Sequence, residues 1–457
     1  MELWKLSATE MLAGYASGEI SPVDVMKSVL ERSEQLNPVL NALYDLQPEK
    51  AMAEAVKSEA RWKAGQPKGP LDGIPAVIKD SIDVAGMRMF RGLKARFDAK
   101  PATEDAPPSA RMIEAGAIVF AKSTMPDMGF LGSGISSYHG VTRNPWNTSL
   151  NTGGSSSGAG AAIASGMATL AIGSDVGGSV RLPASHCGIF GLKPTAGVVP
   201  HLPYSRDRVV GPLTRTVEDA ILLMSVIDQP DARAFEKGAS LPSVLTTLDL
   251  KGKKVGVLTD VGCGEAATPE VAALIKQAAE VFAGLGADVV DMAPPLDFDF
   301  LDDMRIYFSV KAGMERDSFP AERRKDVLDV VNRMCDEVAG LPATAYIKAA
   351  SNFDKAQRIF AKAVDAYDFV LAPTLPMANY RAEMAGANEA RPHDHVVFTS
   401  LLNQSGQPAA TIRCGFVGDS PVGLQVMSSV GKDEEILRAC LSYAKAASYT
   451  YEFPNIE

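Results

Sequence analysis

The chain has 457 residues, of which 46% are hydrophobic and 22% are charged, and its net charge is −10. This length exceeds that of most single-core domains, and the composition is that of a globular protein. The acidic balance argues against an obligatory nucleic-acid or membrane-surface partner, and no run of about 20 uncharged apolar residues predicts a membrane span.

The chain shows no secretory signal, because no basic patch followed by an apolar segment opens the sequence. Its cysteines are far apart and odd in number, and they form no CxxC pair, which argues against a disulfide framework or a zinc ribbon. We interpret them as reduced thiols of a cytoplasmic protein. These cysteines are Cys187, Cys263, Cys335, Cys414 and Cys440.

The N-terminal segment, residues 1–65, has the pattern of helices. Ser21 and Pro22 supply an N-cap and a first-turn proline, and apolar residues recur at helical spacing through Leu30. A second helix is predicted from Pro48 to Lys63. We expect this segment to pack on the core that follows.

Short apolar strands separated by glycine and proline begin near Leu71. They are predicted at 74–78, 118–121 and 168–172, and a helix of small residues precedes the last of them. Alternating strands and helices favour an α/β fold with a mixed sheet. The segment 66–230 is therefore predicted to form the core, with the block 151–195 inside it.

A strand-helix-strand unit follows a polar linker and spans residues 254–290. We expect it to form a lobe on the core, and the charged helices at 296–350 to form a variable lid, so that 231–365 is an inserted region. Residues 368–373 resemble a returning core strand, and 433–446 a terminal amphipathic helix. The segment 366–457 thus returns to the core.

Two Gly-Gly-Ser turns in the block 151–195 carry the chemical signal. They end at Ser155 and Ser179 and are separated by one helix and one strand, so the two serines can face one pocket. Glycine before a serine allows unusual backbone angles and close approach of a carbonyl substrate. The N–H groups of Val176, Gly177, Gly178 and Ser179 are predicted to stabilise an oxyanion.

A reactive serine needs a base, and the histidines offer poor candidates. His186 follows Ser179 by seven residues in a proline-interrupted segment, and the pair His393 and His395 fits no common zinc spacing and is expected on a surface loop. Lys79 is the stronger candidate, because it ends an apolar strand where burial lowers a lysine pKa and leaves a neutral amine. A solvated strand-end lysine remains the alternative.

The block resembles the amidase signature enzymes. It shares their paired glycines before both serines, their 24-residue separation, and the runs GSDVGGSVRLP and GLKPT. Further landmarks follow in the family's order at 72–80, 116–122, 144–146, 372–374 and 423–425. About three quarters of the chain is covered, and the match is weakest at 230–360.

The resemblance implies a fold and a set of roles. The fold is an amidase-signature α/β fold, with a central mixed sheet flanked by helices. Ser179 corresponds to the nucleophile, Ser155 to the relay serine that follows a cis peptide bond, and Lys79 to the base. Asp175 and Arg181 correspond to a pair that supports the nucleophile turn. The family needs no cofactor and no metal.

Minor positions differ from the usual family pattern. Ser157 replaces a glycine, Thr124 stands where many relatives have asparagine, and Arg413 stands where many have proline. Ser156 is expected to hydrogen bond within the relay. These differences give no substrate specificity by themselves.

Three functions fit all or part of this pattern. The first is a stand-alone hydrolase of small amide, anilide or carbamate (urethane) substrates, which forms an acyl-enzyme and acts as a monomer or homodimer. The second is the glutaminase-type subunit of a tRNA-dependent amidotransferase, which shares the signature. The third, a nucleotide-binding protein, lacks a Walker loop, since proline follows Gly191-Leu192-Lys193.

Neutral substrates are favoured over dicarboxylates. The reason is that the sequence shows no evident arginine clamp, unless Arg91, Arg143 or Arg413 lines the pocket. The sequence does not specify the acyl and amine groups of the substrate. It also does not specify which lid residues line the pocket.

Overall fold

The structure is a computed structural model that describes residues 2–456. A mixed sheet organises it. In chain order, the strands are β1 (Leu43–Tyr44), β2 (Pro75–Lys79), β3 (Ile118–Ser123), β4 (Ile135–Ser136), β5 (Gly140–Val141), β6 (Leu170–Asp175), β7 (Phe190–Lys193), β8 (Val209–Thr214), β9 (Lys254–Val257), β10 (Asp288–Asp291), β11 (Phe369–Pro373), β12 (Ala409–Val417) and β13 (Ser420–Met427).

All of these strands except the β4–β5 pair form one sheet of eleven strands. Their order is β1-β3-β2-β6-β8-β7-β12-β13-β11-β9-β10. β2 pairs in parallel with β3 and β6, and β9 does so with β10 and β11, whereas β8, β7, β12 and β13 form antiparallel pairs with their neighbours. Helices cover the sheet, so the predicted α/β fold with a central mixed sheet is confirmed.

The helices surround this sheet. They are α1 (Ala8–Ser17), α2 (Pro22–Leu40), α3 (Pro48–Lys63), α4 (Pro107–Glu114), α5 (Ser157–Ser165), α6 (Arg181–His186), α7 (Val217–Ile227), α8 (Pro269–Gly284), α9 (Leu301–Asp317), α10 (Ala321–Arg324), α11 (Asp329–Val338), α12 (Ala343–Val364), α13 (Val397–Ser400) and α14 (Asp433–Ala446). Among residues 2–456, no helix combines the length and the apolar character that crossing a membrane requires.

Local sequence explains where α2 begins. The Ser21 side chain accepts a hydrogen bond from the Asp24 N–H, and Pro22 occupies the first turn. The buried face of α2 contains Val25, Met26 and further apolar residues at helical spacing. α3 has the predicted bounds and packs beside α2.

The helix α5 is buried along its whole length because its side chains are small. Gly158, in its first turn, lies so close to the backbone of Ala42 and Thr124 that a Cβ would overlap with both. This contact lets α5 approach β2, β3 and β6 closely. The start of α5, which follows Ser155, is thereby fixed against the sheet.

The strand-helix-strand unit, which was expected to form a lobe on the core, continues the central sheet. β9 pairs with β11 in parallel, and β10 extends the sheet by one more strand. The following region is helical, as predicted, and α9 packs against α11 and α12. The division of the chain into four segments stays a prediction. The central sheet contains strands from both sides of the proposed boundary at residue 365.

Candidate active site

The two Gly-Gly-Ser turns meet near the carboxyl ends of β2 and β6. Ser155 precedes α5, and Ser179 lies between β6 and α6. The Ser156 N–H donates to the Ser179 carbonyl at 3.1 Å, which holds the turns together. Both serines are largely buried, with 3% of Ser155 and 9% of Ser179 exposed. The Gly154–Ser155 peptide bond is cis, as the family resemblance implies.

Glycine is required in both turns for steric reasons. A Cβ on Gly154 would overlap with the Ser133 carbonyl, and one on Gly178 would overlap with the Thr399 side chain. Gly178 also has a φ of +123°, which L side chains rarely adopt. The two turns therefore pack against their neighbours more closely than any other residue would permit.

Lys79 lies at the end of β2 and is fully buried. Its Nζ donates to Ser155 Oγ at 2.8 Å and to the Ser174 carbonyl at 3.0 Å. Burial lowers the pKa of Lys79 well below its ordinary range, and the opposing charge of Asp175 does not restore it. The solvated-lysine alternative is wrong for this structure, and an amine that loses its charge easily contacts Ser155.

Asp175 and Arg181 form a fully buried ion pair beside the turn that carries Ser179. Arg181 Nε and Nη2 donate to the two carboxylate oxygens at 3.1 and 2.9 Å. Burial alone would raise the pKa of Asp175, but Arg181 and further donors hold it below its usual range. The carboxylate also accepts the Gly178 and Val180 N–H groups at 2.8 and 3.1 Å. The pair thus shapes the turn.

The structure removes Gly178 from the predicted set of oxyanion donors. Its N–H is committed to Asp175 and is not available to a substrate oxygen. The N–H groups of Val176, Gly177 and Ser179 have no hydrogen-bond acceptor among the described residues. The N–H groups of these three residues are therefore free to donate.

The link between the two serine hydroxyls is not made in this structure. Lys79 contacts Ser155, but Ser155 Oγ and Ser179 Oγ form no hydrogen bond within residues 2–456. Ser156 Oγ donates weakly, at 3.5 Å, to the Ser174 carbonyl that also accepts from Lys79. The structure therefore brings together two of the three predicted members by a direct contact and places Ser179 in the adjoining turn.

A cavity of about 540 Å³ opens at Ser179. The segment 128–132 lines it, and so does α9, which is the part of the predicted lid that contributes to the pocket. Arg91 lines the cavity but is paired with Glu315 of α9 at 2.7 Å. Apolar side chains form much of the surface: Met89, Met128, Phe130, Leu131, Leu182 and Phe308.

A family model described as Amidase matches residues 24–437. The chain belongs to the amidase family. It is 31% identical to the A subunit of glutamyl-tRNA(Gln) amidotransferase from Symbiobacterium thermophilum, with 97% of each chain covered. It is also 31% identical to an acylamidase of Rhodococcus erythropolis, with 96% of this chain and 94% of the relative covered.

Solved structures agree with this assignment. This amidase superimposes on a bacterial aryl acylamidase of the amidase signature family with a TM-score of 0.90, 27% identity and 98% coverage of both chains. For 6-aminohexanoate cyclic dimer hydrolase the TM-score is 0.88, with 27% identity and full coverage of both. The predicted family is confirmed, and the matches support amide hydrolysis and not nucleotide binding.

The histidines of this amidase differ from expectation. His393 and His395 are buried, so their placement on a surface loop is wrong. His393 lines the cavity and donates from Nε2 to the Phe130 carbonyl at 2.8 Å, and burial lowers its pKa to about 4. The rejected base His186 is buried with both ring nitrogens unpartnered in the described chain. Within residues 2–456, no cluster of His, Cys, Asp or Glu is arranged to hold a metal ion.

Sequence reasoning missed Asn403 and Thr399. The Asn403 amide donates to Asp175 Oδ1 and to its carbonyl, both at 3.0 Å, and the Thr399 hydroxyl donates to the Gly177 carbonyl at 2.7 Å. Both residues support the turn that carries Ser179, although they lie more than 200 residues later in the chain. Gln425, which lies in a family landmark, accepts from Arg181 Nη1 at 2.8 Å. No local motif marks Asn403 or Thr399.

The positions that depart from the family pattern have structural roles. Ser157 Oγ donates to the Thr124 carbonyl at 3.3 Å, and Thr124 Oγ1 hydrogen bonds with Thr142 at 2.7 Å, so both fix the start of α5. Arg413 stacks against Phe416 and neighbouring rings outside the cavity. Arg143 pairs with Glu383, also outside the cavity.

Proposed function

We propose that this amidase hydrolyses the C–N bond of small amides, anilides or carbamates through an acyl-enzyme on Ser179, and that it does so without a partner protein. Ser155 relays the proton and Lys79 is the base. The observation that carries the proposal is the 2.8 Å contact between the fully buried Lys79 amine and Ser155, beside the turn that holds Ser179. A lysine in this position needs a chemical reason, because burial of its charged form is costly.

The proton path follows from the contacts of Lys79. A neutral amine has two N–H donors and one lone pair, so it can donate to the Ser174 carbonyl and accept the Ser155 proton across the same 2.8 Å. Ser155 in turn accepts the proton of Ser179 as that oxygen attacks the substrate carbonyl. Catalytic hydrogen bonds often tighten only when substrate is bound, and we assign the missing serine–serine contact to that step.

Charge that develops on the substrate oxygen meets the free N–H groups of Val176, Gly177 and Ser179. These donors are held in place by Asp175, Arg181 and the residues that support them, so little reorganisation is needed during the reaction. The relay then runs in reverse. It protonates the departing nitrogen, and water hydrolyses the acyl-enzyme by the same route.

The substrate class follows from the size and lining of the cavity. A volume of about 540 Å³ with methionine, phenylalanine and leucine walls suits a small acyl or aryl group next to the reacting carbonyl. The similar solved structures include an aryl acylamidase and a cyclic-dimer hydrolase, which supports hydrolysis of such amides. Carbamates share the carbonyl geometry and the same leaving atom.

The second candidate is the glutaminase-type component of an amidotransferase. It is favoured by one observation, the 31% identity to an amidotransferase A subunit over 97% of both chains. A glutaminase of this kind would hydrolyse glutamine best when its partner proteins are present.

Activity of the purified chain separates these candidates. 4-Nitroacetanilide, a primary aliphatic amide, a phenyl carbamate and glutamine are incubated in parallel with wild type, Ser179→Ala and the remote control Ser225→Ala. We expect wild type and Ser225→Ala to cleave at least one of the first three compounds, and Ser179→Ala to cleave none. Activity that survives in Ser179→Ala contradicts the mechanism, and activity toward glutamine alone contradicts the stand-alone function.

A further inference from the structure

Arg208 lies next to the nucleophile turn through the register of the sheet. β8 begins at Val209, which pairs with Asp175 in the antiparallel β6–β8 ladder. The residue before Val209 is Arg208, and the residue after Asp175 is Val176, so these two are opposite each other where the ladder ends. Arg208 and Ser179 line the same cavity. An arginine is thus built into the wall beside the reacting centre.

Of the other arginine and lysine side chains that line the cavity, Arg91 and Lys311 are paired, whereas Arg96 has no ion pair among the described residues. Arg91 pairs with Glu315 at 2.7 Å, and Lys311 pairs with Asp207 at 2.6 Å. Arg208 has no ion pair among residues 2–456. Its Nη2 donates to the Leu202 carbonyl at 3.0 Å, and its Nε is buried with no acceptor among the described residues.

Nearby carboxylates do not complete the Arg208 site. Asp207 is bound by Lys311, Tyr307 and Ser205, and Glu236 lies beside His201 at 3.3 Å. Asp83 lines the cavity but forms no ion pair with Arg208. Burial, together with the charge of Arg91, lowers the pKa of Arg208 to about 10, so it stays charged at neutral pH. The half-buried side chain of Arg208 therefore has no counter-ion within residues 2–456, and its buried Nε lacks an acceptor there, which is costly unless an acceptor is supplied.

We propose that Arg208 binds a carboxylate carried by the substrate and that amides with one anionic group are preferred over their neutral counterparts. Guanidinium recognises carboxylate by directional, charge-assisted hydrogen bonds, and the Arg208 side chain lines the cavity without an ion pair among the described residues. This inference rests on the proposed function and narrows its substrate class. It replaces the sequence-based preference for neutral substrates, which assumed that no arginine was available in the pocket.

Matched pairs of compounds test the proposal on either side of the scissile bond. For the leaving group, 4-acetamidobenzoate is compared with 4-acetamidobenzamide; for the acyl group, succinanilate is compared with N-phenylsuccinamide, which has a carboxamide in place of the carboxylate. Steady-state kinetics are measured for wild type, Arg208→Gln, Arg208→Lys and Arg143→Gln, whose arginine lies outside the cavity. Circular dichroism checks that each variant is folded.

We expect KM for the carboxylate member of at least one pair to rise roughly 10- to 100-fold in Arg208→Gln, as loss of a hydrogen bond to a charged group predicts, while the neutral member changes little. Arg208→Lys should recover part of the loss, and Arg143→Gln should match wild type. The pair that responds identifies the side of the substrate. Equal changes for charged and neutral members, or no change in either, would overturn the assignment.

A binding measurement keeps this test separate from the test of the proposed function. Calorimetry with Ser179→Ala compares the affinity for 4-acetamidobenzoate and for its carboxamide, and likewise for the second pair. Tighter binding of a carboxylate member supports the Arg208 site even where turnover is absent. Equal affinities in both pairs contradict the site, whereas a lack of hydrolysis by wild type contradicts only the proposed reaction.

Discussion

Replacement of Lys79 by methionine should change how the stability of the protein depends on pH. Burial holds the pKa of Lys79 well below its ordinary value of 10.5 in the folded state. In the unfolded chain the lysine takes up its proton near that ordinary value. Between the two pKa values the unfolded state therefore binds one more proton, and the wild-type free energy of unfolding falls by about 1.4 kcal/mol for each pH unit lowered.

The methionine variant has no amine at position 79, so the contribution of Lys79 to this slope is absent. The variant loses the contacts of Nζ with Ser155 and Ser174, at 2.8 and 3.0 Å, and should be less stable by about 1 to 3 kcal/mol where the lysine is neutral in both states. As the pH falls, that disadvantage should shrink and then reverse. The buried Lys122 and Lys193 are present in both proteins, so their contributions cancel in the comparison.

Urea unfolding of both proteins, followed by fluorescence and circular dichroism from neutral pH up to pH 10.5, measures the difference. Coincident transitions by the two probes are needed, because a chain of this size can unfold through intermediates. Lys57→Met is the control, since Lys57 is exposed and this substitution removes a lysine amine without touching the buried one. A difference that stays constant for Lys79→Met would refute the neutral buried amine.

Three further predictions concern turnover. Ser155→Ala should lower kcat about 10²- to 10⁴-fold by breaking the relay, and Ser156→Ala should have a smaller effect; equal losses would contradict the separate roles. Gly178→Ala should abolish activity and lower the Tm, because its Cβ would overlap with Thr399 at a φ of +123° and strain costs about 1 to 3 kcal/mol; wild-type kinetics would contradict this. Activity should survive a chelator, since the relay uses side chains alone. A loss of activity that added metal restores would contradict this prediction.

The elements with strong local signals were predictable from the sequence. α3 and α14 have the predicted bounds, because proline or acidic residues mark their starts and their apolar residues follow helical spacing. The pairing of β9 with β11 was not predictable, since it joins strands more than 100 residues apart and no local pattern specifies the partner. For that reason the sequence did not indicate that the unit at residues 254–290 joins the central sheet.

The candidate site likewise contains residues that local motifs predict and residues that only the fold brings together. Lys79, Ser155 and Ser179 stand in dense motifs. Asn403 and Thr399 contact the turn that carries Ser179, and Arg208 lines the cavity, only because of the tertiary fold. The commitment of the Gly178 N–H to Asp175 depends on where a side chain three residues earlier points. The burial of His393 was missed because the polar residues around it in the sequence hide its packing against Phe130.

The most direct test of the mechanism is whether Ser179 forms the covalent acyl-enzyme. The probe is an O-aryl carbamate, which acylates a serine hydroxyl by loss of its aryloxide and leaves a slowly hydrolysed carbamoyl group. Mass spectrometry of the protein after this reaction, followed by peptide mapping, measures the covalent adduct. We expect one carbamoyl group per chain on Ser179, with no labelling of Ser179→Ala and slow labelling of Lys79→Met. A carbamoyl group on another residue, or equal labelling of Ser179→Ala, would contradict the assignment of the nucleophile.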